Sequence, residues 1–172
     1  MNETLKTLKE RRSCRKYQTK QVEQDVLELI LEAGTYAPTG MNRQSPVMVV
    51  IQDKDTIRLL EKENAKVLGN EAATPFYGAP TLVVVFADTR CSTGLEDACL
   101  VMGNLMNAAS VVGVGSCWIH RAKEVFQTQI GKELMRTWGL DENYIGVGNC
   151  ILGYAAETPA IRPRKENYII KA

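Results

Sequence analysis

The sequence predicts an α+β fold, a single domain spanning residues 1–172 in which a small sheet is wrapped by helices. Three observations carry that expectation. The 172 residues are 45% hydrophobic and 24% charged, the balance of a chain that buries a core within one domain. Runs with apolar residues at helical spacing are interspersed with short β-branched runs. No repeat, low-complexity tract or interdomain linker divides the chain.

Leu5 and Leu8 point to a short first helix that stops near Arg11, Arg12 and Ser13, and Tyr17 to Lys20 reads as a linker. Val22, Val26, Leu29, Ile30 and Ala33 recur at helical spacing, with Gly34 as the C-terminal stop. The composition of residues 37–44 predicts a loop, and Pro46 to Ile51 reads as a buried strand. Asp53 to Leu68 reads as a mostly surface helix. A further loop, Gly69 to Pro80, leads into Thr81 to Ala87, which is too apolar to face water on either side. A long helix from about Leu95 to Val112, two short helices within 121–138 and a last strand from Tyr144 to Leu152 follow. The tail, 156–172, reads as extended.

From Ala98 to His120 there is no Asp, Glu, Lys or Arg, a length that reaches across a bilayer. Asn104, Asn107 and Ser110, however, recur every three residues within it, and such groups are costly in lipid. The run therefore reads as a buried helix, apolar around most of its circumference, with one polar stripe turned toward a hydrogen-bonding partner.

With 21 Lys plus Arg against 20 Asp plus Glu, the net charge is +1, which excludes a globally basic nucleic-acid binder. The five cysteines, at 14, 91, 99, 117 and 150, are odd in number and form no CxxC pair, so neither a disulfide framework nor a zinc site is expected. No apolar N-terminal segment precedes a small-residue cleavage site, and a reducing cytoplasm is the expected compartment. A single histidine, His120, leaves little room for histidine-based metal ligation or a Ser-His-Asp triad. The chemistry is expected to come from a bound cofactor. Cys14 reads as partly exposed, and Cys99, Cys117 and Cys150 as small core hydrophobes. None has a base at a recognisable spacing. Trp118 reads as core or cofactor-edge packing, and His120 as either a structural histidine or a cleft residue.

Between Lys6 and Lys20 lie seven positive residues and one negative, Glu10. Within that run, Arg11, Arg12, Ser13 and Arg15 offer guanidinium forks and a hydroxyl at a helix end, a set suited to a phosphate dianion. Arg162, Arg164 and Lys165 form a second basic segment, which would complete such a site from the far end of the chain. Gly113 and Gly115 suggest a dinucleotide fingerprint, but Trp118 stands at the third glycine position and the segment follows a helix rather than a strand.

Five segments carry a family resemblance. They are Arg11 to Tyr17, Ala37 to Pro46, Phe76 to Pro80 before an apolar strand, Gly113 to Trp118, and Leu152-Gly153-Tyr154 leading to Arg162 to Lys165. Together, in this order and across nearly the whole chain, they resemble the FMN-dependent nitroreductase family. The resemblance implies a mostly antiparallel central sheet wrapped by helices and an intertwined, obligate homodimer with two FMN sites at its interface. It implies that Arg11, Arg12, Ser13 and Arg15 hold the FMN phosphate and ribityl chain and reach the pyrimidine edge, with Arg162, Arg164 and Lys165 closing on the phosphate. Pro38, Thr39, Asn42 and Gln44 match the loop that reaches the partner subunit's flavin. Gly115 and Ser116 match the segment whose backbone lies along the isoalloxazine near N5. The tail is expected to contact the partner subunit.

The activity implied is reduction of the flavin by NADH or NADPH, a transient reductant, and transfer of electrons or hydride from flavin N5 to a small oxidant such as a nitroaromatic or quinone. Such a flavin site needs binding and orienting groups rather than an acid-base pair, which suits a chain with one histidine. The chain is short for the family and lacks a long inserted lid, which implies an open cleft. Two alternatives stand beside this: an FMN-dependent dehydrogenase of a metabolite, and a non-redox module binding a nucleotide or other anion through its basic termini.

Overall fold

The computed structural model describes residues 2–172. Among these residues there are six α-helices: α1 (Glu3–Glu10), α2 (Gln24–Thr35), α3 (Lys54–Leu68), α4 (Gly94–Val111), α5 (Ala122–Val125) and α6 (Gln129–Thr137). Four strands, β1 (Val47–Ile51), β2 (Thr81–Asp88), β3 (Gly115–Ile119) and β4 (Tyr144–Gly153), form one sheet in the order β1-β2-β4-β3. Every ladder is antiparallel.

Strand β2 is buried along its whole length because helices cover both faces of the sheet. Its side chains alternate between two cores, as the two-residue period of a strand requires. Leu82, Val84 and Phe86 pack with residues of α3, α5 and α6. Val83, Val85 and Ala87 pack with residues of α2 and α4. In the first core the Phe86 ring meets that of Phe126 edge-on at 4.8 Å, and Trp138 completes the aromatic group at 5.8 Å from Phe126.

Local sequence sets the helix starts. The Asn2 side chain accepts from the Thr4 N–H at 2.8 Å, Asp53 accepts from Thr56 N–H at 2.8 Å, and Thr128 accepts from Gly131 N–H at 3.1 Å. These are N-caps for α1, α3 and α6. The hydrogen bonds from Thr56 hold the Asp53 carboxyl below its ordinary pKa.

The structure corrects two expectations. Helix α2 runs past Gly34 to Thr35. That glycine is not a stop; a Cβ there would lie 2.9 Å from both Leu105 Cδ2 and Met48 Sδ, so its bare surface lets α2 lie close against α4 and β1. Strand β3 occupies a stretch to which the sequence assigned no element. Helix α4 is buried on one face alone: Ala98, Val101, Met102, Leu105 and Ala109 face the core, while Leu95, Leu100 and Val111 are exposed. None of the described helices is long and apolar enough to cross a membrane.

Residues 13–18 close the edge of the sheet. Ser13 bridges Ser116 in parallel and Tyr17 bridges Ala155. The Cys14 N–H donates to Ser116 O at 2.9 Å, Gln18 N–H to Tyr154 O at 2.9 Å, and Ala156 N–H to Lys16 O at 2.9 Å. The Tyr17 hydroxyl donates to Cys14 O at 2.8 Å. Burial, reinforced by the neighbouring Cys14, Cys117 and Cys150, pushes the Tyr17 phenol well above its usual range. The expected exposures of two cysteines are reversed: Cys14 is buried and Cys99 is partly exposed. Burial also pushes the Cys150 thiol up to about 12.

Because Tyr17 stays protonated in the folded chain but ionises above pH ~10 once unfolded, native stability falls as pH rises past that point. Denaturant midpoints at pH 8 and pH 11 test this. Tyr17→Phe is expected to cost about 1 kcal/mol at pH 8 through the lost hydrogen bond and to show a smaller loss than wild type between the two pH values. An equal loss in both proteins would place the alkaline limb elsewhere.

Candidate functional site

Helix α1 ends at Glu10, and the Arg11 N–H closes its last turn on Thr7 O. The Arg12 side chain turns back over this end: its Nη1 donates to both Lys9 O and Arg11 O at 2.7 Å. Those carbonyls need donors, and the guanidinium supplies them. Arg11 Nη1 and Arg12 Nε are buried and have no hydrogen-bond partner. Buried guanidinium N–H groups without acceptors are expensive, and both belong to the segment that also presents Ser13 and Arg15.

The tail folds back to meet this segment. One cavity of about 410 Å³ is lined by Arg12, Ser13, Arg15, Pro159, Arg162 and Arg164. A second, of about 710 Å³, has Arg11, Arg12, Arg164, Lys165 and Tyr168 among its lining residues. Arg12 and Arg164 belong to both, and no carboxylate lines either. The two basic segments, 150 residues apart in sequence, thus form one positive surface. Its cations and the Ser13 hydroxyl suit a phosphate monoester, so the residues present fit the phosphate end of FMN.

Ser13 lies beside Ser116 at the start of β3, and Ser116 is buried. Gly115 owes its lack of a side chain to the chain itself: a Cβ there would come within 2.9 Å of Cys14 Cβ and 3.0 Å of its Sγ. Gly113, with φ 76°, makes the left-handed turn between α4 and β3. Gly113 thus serves a turn and Gly115 a close contact with Cys14.

Loop 37–44 stands elsewhere. The Gly40 N–H donates to Asp97 Oδ1 at 3.0 Å, and Thr93 Oγ1 donates to Asp97 Oδ2 at 3.0 Å. The Gln44 N–H donates to Thr39 Oγ1 at 3.1 Å, and Gln44 Nε2 to Asn42 Oδ1 at 3.1 Å. Met41, Asn42 and Gln44 occupy the left-handed region at φ 55°, 52° and 51°. Three such residues so close together store backbone strain, and the buried Asp97 carboxylate is the anchor that holds them. Pro38, Asn42 and Gln44 are exposed.

Asp97 is near the start of α4, whereas the turn into Ser116 lies at its end, where the Val114 N–H donates to Ala109 O at 2.8 Å. The twelve residues from Asp97 to Ala109 span about 18 Å of helix. Within one chain, then, Thr39, Asn42 and Gln44 are not brought to Arg11, Ser13, Arg15 and Ser116.

The polar stripe of α4 is divided. Asn104 Nδ2 donates to Ala33 O of α2 at 3.0 Å. Asn107 and Ser110 open into a groove of about 990 Å³ between α1, α2 and α4, beside Leu29 and Val111. His120 is exposed and its backbone is structural: its carbonyl accepts from Asn64 Nδ2 at 2.8 Å and from Asn149 Nδ2 at 3.3 Å. Its ring meets Trp118 edge-on at 6.3 Å. The positioning residues Asp97 and Tyr17, and the cavity residue Tyr168, were not singled out from the sequence. The legible signal for Asp97 was its place as the last charge before a long uncharged run.

The nitroreductase family model matches residues 8–154. A Bacteroides fragilis nitroreductase solved with bound FMN is 28% identical, with a TM-score of 0.90 and all of both chains covered. A Desulfitobacterium hafniense nitroreductase, also with bound FMN, is 27% identical at a TM-score of 0.89, covering 100% of this chain and 99% of that one. The FMN reductase (NAD(P)H) of Bacillus subtilis is 26% identical over 187 residues, which cover 95% of this chain and 70% of the reductase. With the family model matching 8–154 of its 172 residues, this chain belongs to the nitroreductase family.

Proposed function

We propose that this chain is an FMN-dependent oxidoreductase that takes reducing equivalents from NAD(P)H and passes them to a small oxidant such as a nitroaromatic or quinone. The observation that carries the reading is the meeting of the two basic segments at Ser13, with Arg11 Nη1 and Arg12 Nε buried and lacking acceptors. Bound FMN supplies the electron-transfer chemistry. The residues of the chain bind and orient it. Arg11, Arg12, Ser13, Arg15, Arg162, Arg164 and Lys165 neutralise and fix the phosphate, and Gly115 and Ser116 provide the backbone surface beside it.

The working unit is a homodimer. Loop 37–44 carries Pro38, Thr39, Asn42 and Gln44 at the opposite end of α4 from the basic cradle, so these side chains serve the flavin of a second copy. Leu5, Leu29, Leu100 and Val111, exposed on α1, α2 and α4, are covered in that assembly, and the tail residues Ile161 and Ile170, also exposed, extend the contact. Apolar surface of this extent is what an obligate interface buries.

Purified protein should be yellow, with flavin absorbance that NADH or NADPH bleaches anaerobically. A colourless protein that takes up no added FMN would overturn the reading. Arg11→Ala should weaken FMN binding by roughly 10- to 100-fold, the equivalent of a charge-assisted hydrogen bond of about 1.5–3 kcal/mol, and Arg12→Lys by less because the charge remains. Fluorescence titration measures both, and unchanged affinity in Arg11→Ala would remove it from the phosphate site. For the dimer, mixing Arg11→Ala with Asn42→Ala/Gln44→Ala subunits should restore activity through one intact site per mixed dimer. No recovery on mixing would place both segments in one subunit's site.

A further inference from the structure

Resting on the reading of loop 37–44 as part of a second subunit's flavin site, we propose that Asp97 is a positioning residue that acts across the dimer. With Thr93 and Gly40 it forms a clamp, buried in one subunit, that sets how tightly the other subunit holds its FMN.

The start of α4 gives its capping groups to this loop. Thr93 stands at the N-cap, where a hydroxyl oxygen ordinarily accepts from the first free N–H groups of a helix. It makes no such bond; its Oγ1 donates instead to Asp97 Oδ2 at 3.0 Å. Asp97, in the first turn, turns its other oxygen out of the helix to accept the Gly40 N–H at 3.0 Å. The carboxylate is 3% exposed, so this bond is sheltered from water, and a charged acceptor makes it stronger than one between neutral groups. Gly40 must be bare for so close an approach, because a Cβ there would collide with Thr93 Oγ1.

Little else ties the loop down. Among the described residues, no other hydrogen bond joins residues 38–44 to the rest of the fold. Packing leaves it under-supported as well: a cavity of about 140 Å³ separates Ala37, Thr39 and Gln44 from Gly34, Met48 and Val101. Next to the loop, Ser45 Oγ is buried without a hydrogen-bond partner. Strained residues persist only where their surroundings over-determine them, and Met41, Asn42 and Gln44, all left-handed, follow Gly40 closely. Since the Gln44 amide also donates to that of Asn42, the two side chains move as a unit whose place is set through Gly40 by Asp97.

The test counts FMN sites by fluorescence titration of mixed dimers, purified through a different affinity tag on each subunit. Asp97→Ala homodimers should bind FMN about tenfold more weakly than wild type, as expected for the loss of loop hydrogen bonds to the flavin. Paired with Arg11→Ala, Asp97→Ala should restore one site of wild-type affinity per dimer; paired with Asn42→Ala/Gln44→Ala it should restore none. Asp97→Asn, whose amide oxygen still accepts from Gly40, should stay within about threefold of wild type. Gly40→Ala leaves the carboxylate in place and pushes the loop off it, and should reproduce both pairings if Asp97→Ala fails to fold. Unchanged affinity in Asp97→Ala would overturn the proposal, as would an Asn variant as weak as Ala, recovery with Asn42→Ala/Gln44→Ala, or recovery with neither partner. Arg11→Ala paired with Asn42→Ala/Gln44→Ala is the control. If no site is restored there, the composite flavin site fails and the clamp's role across the dimer falls with it; a restored site there confines any adverse result to Asp97.

Discussion

The backbone bond from Cys14 N–H to Ser116 O is the contact on which the site depends. It lays the N-terminal segment along β3, an edge strand that would otherwise present unpaired groups to any passing chain. Everything polar in the cradle is positioned relative to that line. Arg11 and Arg12 stand before it at the end of α1, Arg15 just after it, and Ser116 across it. The close approach needs Gly115 opposite Cys14 and the Tyr17 hydroxyl on Cys14 O to keep the segment from peeling away. A sulfur buried at this contact is thus a packing piece for the site, although its sequence neighbours are among the most charged in the chain.

Two layers of helix on a fully buried β2 supply the rigidity against which this edge is set. The same layering divides the labour of α4. One face holds the core through Ala98, Met102 and Leu105, and the other leaves Leu100 and Val111 exposed. At its first turn Asp97 anchors a strained loop, and beyond its last turn the chain enters β3. One straight element therefore fixes the distance between loop 37–44 and the start of β3.

Much of this was legible in the sequence because apolar periodicity reports burial directly. Thr81 to Ala87 had to be a central strand, and Val22 to Ala33 had to be a helix. The basic segments were legible as clusters of cations because Arg11, Arg12, Ser13 and Arg15 put several forks at one helix end. Other features depend on contacts that sequence periodicity does not encode. Gly34 reads equally as a helix stop or as a packing surface until Leu105 and Met48 are seen against it. The apolar run from Ala98 on suggested burial all round, since exposed apolar residues such as Leu100 and Val111 have the same composition as a core. Strand β3 was hidden by glycines whose roles are a turn and a close contact.

The meeting of Arg12 with Arg164 has a consequence for the chain as a polymer. A ligand gripped by both termini converts a linear chain into a ring closed by ionic contacts. A covalent cross-link between distant positions restricts the unfolded ensemble, whereas a ligand that binds only the folded chain stabilises it by mass action. Occupancy of the cradle thus acts as a reversible staple: it makes the ends of the molecule, ordinarily the first parts to fray, as durable as the cofactor is tightly held.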